Sequence, residues 1–167
     1  MKRLLSLTVV ATIVATLLSG AEVRADGKPP ADPFVILLQG VYQPAERGPN
    51  LGLAHVNLNS GSYSTVQVYR VDGLPGTSEP AIGNFWSGPF AVYQLPGGAI
   101  ASLYTEFLFD VVEIDGEIYE IGTAELIITD ATGIYRPFVN GSIHMEFISR
   151  VIAPGVYDEY CLCFISR

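Results

Sequence analysis

The chain has 167 residues, is 49% hydrophobic and 16% charged, and sets nine Lys/Arg against seventeen Asp/Glu, a formal net charge of −8. No lysine or arginine stands between Arg70 and Arg136, so a nucleic-acid surface or an anionic-membrane surface would have to be built against the prevailing field, and both are excluded as partners.

The first residues read as an export signal. Met1, Lys2 and Arg3 make a positive start, Leu4 to Leu18 is apolar and uncharged, and small residues follow, with cleavage expected after Ala25. The run is shorter than the ~20 apolar residues that cross a bilayer, so a secreted or periplasmic product without membrane insertion is expected. Cleavage removes Lys2, Arg3 and Arg24 but only one acid, Glu22; six cations then face sixteen acidic residues, a net charge of −10. What remains is a flexible or extended lead-in, DGKPPADP at 26–33, and a single domain at 34–167.

From there the pattern is strands and turns. Phe34 to Tyr42 is apolar, Leu51 to Leu58 is a weaker strand candidate, and Tyr63 to Val71 alternates before an Asp72-Gly73 turn. Ile82 to Leu95 is broken by Ser87-Gly88-Pro89, where a proline demands an edge, a bulge or a bend. Ile100 to Ile114 puts Tyr104, Glu106, Leu108 and Asp110 on one parity. Asp115-Gly116 is the clearest hairpin signal, a two-residue turn that tolerates positive φ. Ile118 to Thr129, Val139 to Ser149 and Val156 to Ile165 complete about eight strands with no amphipathic helix. An all-β barrel or sandwich is the natural class, because many turn-separated strands must bury one face and protect their edges, and the eight-stranded antiparallel barrel is the one expected. Apolar residues on both parities, such as Phe107 with Leu108 and Ile127 with Ile128, predict a homo-oligomer packed through the barrel exterior.

Cys161 and Cys163 lie two apart on one strand. Such residues are about 6.5 Å apart along the chain, wider than a disulfide's Cβ atoms tolerate, and the pair is read as two small buried hydrophobes. No metal-ligand set, phosphate loop or cofactor motif is present, and His55 and His144 stand far apart with no nucleophile motif beside them. The carboxylates crowding the Asp115-Gly116 hairpin read as solvated faces. Glu106 is the exception: if it shares an inward face with Tyr104, it becomes a poorly hydrated carboxylate usable as acid or base.

The segment Ile128-Thr129-Asp130-Ala131-Thr132-Gly133-Ile134-Tyr135, followed by Asn140-Gly141, resembles the I-T-G-G-[ST]-G-x-[FY] corner of the allene oxide cyclase and dirigent barrel superfamily. Val68-Tyr69, Gly83 and Ser87-Gly88 extend the resemblance over roughly 63–165. It implies a calycin-like barrel with a hydrophobic lumen, often trimeric in plant members, that cyclises or steers small apolar compounds without a cofactor. Arg136 matches the first arginine of the dirigent F-R-x-A-R corner, whereas the second is missing. Val66 and Phe90 stand near the plant cyclase's strand asparagine and cysteine, and Asp130-Ala131 replaces its paired glycines, so allene oxide cyclisation itself is not expected. The expected function is binding of a small hydrophobic molecule in the lumen, as an isomerase or cyclase using Tyr104, Glu106 or Arg136, with Trp86, Phe90 and Phe107 lining the pocket. A non-catalytic carrier or structural barrel of the cell envelope is the alternative.

Overall fold

The computed structural model describes residues 27–45, 48–59, 63–71 and 81–167; the expected signal segment and the Asp72-Gly73 turn lie outside them. Eight antiparallel strands, β1 (Phe34–Ala45), β2 (Tyr63–Val71), β3 (Ala81–Ser87), β4 (Ala91–Leu95), β5 (Gly98–Ile114), β6 (Glu117–Ala131), β7 (Ser142–Ala153) and β8 (Val156–Ser166), form a closed barrel in chain order. Closure is made by β1 on β8, in register from Phe34↔Ile165 to Tyr42↔Tyr157. It leaves no open sheet edge, which is how an all-β chain satisfies its backbone groups.

Turn chemistry sets the strand boundaries. Asp115 and Gly116 both take positive φ, 54° and 82°, in the two-residue β5–β6 turn. The expected interruption at Ser87-Gly88-Pro89 separates β3 from β4. Leu51 to Leu58, expected as a weak strand, is a loop. The Asn50 and Asn57 side chains accept backbone N–H groups of Gly52 and Asn59, both at 2.9 Å, and Gly52 takes φ 71°; these local bonds compete with any ladder.

The sheet buries both of its faces, but against different things. Inside, Ile36, Leu38, Val66, Ile100, Leu126, Ile128, Ile143 and Ile165 are fully buried in one cluster. Each such aliphatic side chain stabilises the fold by roughly 1.5–3 kcal/mol. Outside, Leu53 and Leu58 of the 48–59 loop cover Trp86, Val92, Ala99 and Ala101 in a second cluster. The Asp130 carboxylate accepts the Ala54 N–H and fastens this loop.

A 3-10 helix, Gly133–Phe138, crosses one end of the barrel between β6 and β7, in the interval between the strands expected over Ile118 to Thr129 and Val139 to Ser149. It inserts Tyr135 and Phe138 against Phe34, with ring centroids 6.0 and 5.0 Å away, and Tyr135 Oη donates to Pro96 O at 2.8 Å. Gly133 is required there: it has φ 58°, and a Cβ would lie 1.7 Å from Gly97 O. This end of the lumen is therefore plugged, and any opening must be at the other.

Candidate functional site

At the opposite end the lumen opens into a cavity of about 170 Å³. Its wall takes Tyr42 from β1, Phe85 and Ser87 from β3, Tyr104 and Phe107 from β5, Glu120 from β6, Met145, Phe147 and Ser149 from β7, and Tyr157 and Glu159 from β8. An apolar floor with a few oxygens is the usual form of a small-molecule site.

Two groups of oxygens face each other across it, because β8 and the β3/β5 pair lie on opposite sides of a closed eight-strand ring. On one side Ser87 Oγ and Tyr104 Oη are 2.8 Å apart and share a hydrogen bond. Burial holds the Tyr104 phenol far above its ordinary range, so it stays protonated and able to donate. On the other side the register places Glu159 opposite Gly40 on β1 and opposite Ser149 on β7, while Ser149 is opposite Glu120 on β6. Both cross-strand neighbours of Glu159 are small, which leaves its carboxyl room in the lumen. Ser149 Oγ donates to Glu159 Oε2, and among the described residues no lysine or arginine lines the cavity. Burial raises the Glu159 pKa; the Ser149 hydrogen bond opposes this, and the nearby Glu120 carboxylate adds to it.

Beneath lies Tyr93, wholly buried, its ring 4.9 Å from Phe85 and its Oη without a hydrogen-bond partner among the described residues. Above, Phe107 stacks on Phe147 at 5.2 Å and contacts Phe109 at 5.7 Å. Phe107, Phe109 and Val111 stay 49%, 48% and 61% exposed, an apolar lip that β5 carries past the rim.

The expected site residues separate. Tyr104 and Phe107 line the cavity. Glu106 does not: a bulge between Tyr104 and Glu106 places Thr105 out of the ladder, pairs Glu106 with outward Glu125, and returns Phe107 to the inward row opposite Ala124. Strict alternation put Glu106 with Tyr104; the extra residue reverses it. Arg136 is exposed on the plug at the far end. Trp86 and Phe90 belong to the outer cluster under the 48–59 loop, because Trp86 has the parity opposite to inward Phe85. The cysteines point inward as buried free thiols, Sγ atoms 3.6 Å apart.

Glu159, Ser149, Tyr42 and Tyr157 were not anticipated. The signal for Glu159 was its parity: Tyr157, Glu159, Cys161, Cys163 and Ile165 alternate on β8, and the two cysteines already marked that face as buried.

No protein family, curated protein or solved structure matches the chain. The closed eight-stranded antiparallel barrel agrees with the fold that the resemblance implies.

Proposed function

We propose that this chain is an exported barrel that holds a small hydrophobic molecule in the open end of its lumen and acts on it as a cofactor-free isomerase or cyclase, in the manner of the allene oxide cyclase and dirigent barrels. The observation that carries the reading is the mouth cavity, an aromatic and aliphatic recess with a hydroxyl pair on one wall and the Glu120 and Glu159 carboxylates on the other, Glu159 accepting from Ser149. Its volume limits the ligand. A cavity of ~150 Å³ accepts benzene, so one of about 170 Å³ takes a body about one ring across, with any extension lying on the Phe107–Phe109 lip.

The export reading is supported by the signal-like 1–25 segment. The oligomer reading is supported by exposed apolar side chains on adjacent strands of the outer wall, Val35, Phe164, Tyr160, Ile148, Ile121 and Leu108. A carrier role uses the same cavity without chemistry, and is favoured by the distance of Arg136 and the outward turn of Glu106.

Calorimetric titration with indole tests the reading. Saturable heat is expected from the wild type and none from Met145→Trp, whose larger side chain fills the cavity floor; equal heats from both proteins would place binding elsewhere.

A further inference from the structure

We propose that Glu159 is a general base for enolisable carbonyl compounds, with the Tyr104–Ser87 hydroxyl pair holding the carbonyl oxygen. The inference rests on the mouth cavity being the ligand site and names its substrate class: a ketone or enone about one ring across, with an apolar extension.

Three observations select this chemistry. Glu120 and Glu159 are the half-buried carboxylates of the wall, and Glu159 is the one oriented by Ser149, while Glu106 and Glu125 face outward. Among the described residues Glu159 has no cation beside it, and Ser149 engages Oε2 alone, so Oε1 carries no hydrogen bond there. A carboxylate that is neither neutralised nor fully solvated is a stronger base than one in water, since its charged form is the one that burial penalises. Across the cavity, neutral O–H donors suit an oxygen that gains charge as the reaction proceeds.

The step balances without a co-reactant. Glu159 takes a proton from the carbon beside the carbonyl, the C–H pair becomes the C=C of an enolate, and the C=O π pair moves onto the oxygen held by Tyr104 and Ser87. Return of the proton from the Glu159 carboxylic acid to the same carbon regenerates the ketone. Return at the γ carbon of a β,γ-unsaturated ketone moves the double bond into conjugation. No group is oxidised or reduced. The apolar lip of Phe107, Phe109 and Val111 shelters the rest of the molecule, and Gly40 leaves space beside the base.

The probe is 2-tetralone in deuterated buffer, with α-proton exchange followed by NMR and binding followed by saturation transfer on the same sample. Exchange at least tenfold above buffer is expected for the wild type, rising with pH as Glu159 ionises. Glu159→Gln should bind the probe and exchange it at the buffer rate, Glu159→Asp should keep part of the acceleration, and Tyr104→Phe should lose most of it. Glu106→Gln, altered on the outer face, should match the wild type. Saturable binding without acceleration, or equal acceleration by Glu159→Gln, overturns the proton-transfer role and leaves the ligand site standing. Absence of saturable binding overturns both.

Discussion

Glu159 carries its carboxyl in the half-buried wall of the mouth. Its folded pKa is raised, first by burial and further by Glu120, so the folded state binds the proton more tightly than the unfolded chain does. Its favourable contribution is complete below the unfolded value of about 4.3 and is lost as pH rises through the folded one. Glu159→Gln should therefore raise the melting temperature at pH 7, and the gain over the wild type should vanish near pH 4. Thermal unfolding of the two proteins across that range checks it; a variant that is less stable at pH 7 would mean that the ionised carboxylate makes a net favourable contact. His144 behaves with the same sign for another reason. Its Nδ1 is 2.5 Å from Glu125 Oε1 and its Nε2 is 3.6 Å from Glu146, which raises the imidazole pKa mainly through the Glu125 hydrogen bond. The pair is partly solvated, and its contribution fades as pH rises through the folded imidazole value.

Among the elements, the corner from Ile128 to Ile143 does one thing the strands cannot. It closes an end of the lumen with Tyr135 and Phe138, and the glycine at 133 is what lets the chain pass under the β4–β5 turn. Gly133→Ala should destabilise the fold by at least about 2 kcal/mol, since left-handed backbone alone costs an alanine roughly 1–2 kcal/mol and the added Cβ meets Gly97 O. Chemical denaturation measures this; a neutral result would show that the plug reseats without strain. Strand order and most boundaries were legible because Asp115-Gly116, Pro96-Gly97 and Pro154-Gly155 punctuate the chain. The bulge at Thr105 was not, because one unpaired residue leaves no mark on an alternating pattern, and it moved Glu106 from the inner face to the outer. Glu159 was hidden for a related reason. Next to Asp158 and just after a turn it resembles a solvated acid, and only parity with Cys161 marks it as inward. The loop at 48–59 is apolar enough for a strand, and its Asn50 and Asn57 turns decide otherwise.

For the whole molecule, the barrel divides into a plugged core, an aromatic mouth and an outer wall of mixed character. Part of that wall is covered by the chain's own loop over Trp86. The part formed by β1 and β5–β8 keeps Phe164, Tyr160, Ile148 and Ile121 exposed, and the proposed homo-oligomer would pack through it. Sedimentation of the mature protein should give a mass above that of one chain, and Ile148→Glu, at the centre of the patch, should return it to one. A monomeric wild type would remove the oligomer from the account.

Ligand occupancy of the mouth is the claim on which the chemistry depends, and the chain provides its own reporter. Met1 and Met145 are its two methionines, the first falls within the expected signal, and Met145 lines the cavity. The mature protein labelled with ¹³C at the methionine methyl should give a single resonance. Titrated with indole, that resonance should move saturably, in step with the calorimetric curve; a resonance that stays in place while indole binds would contradict the lumen site.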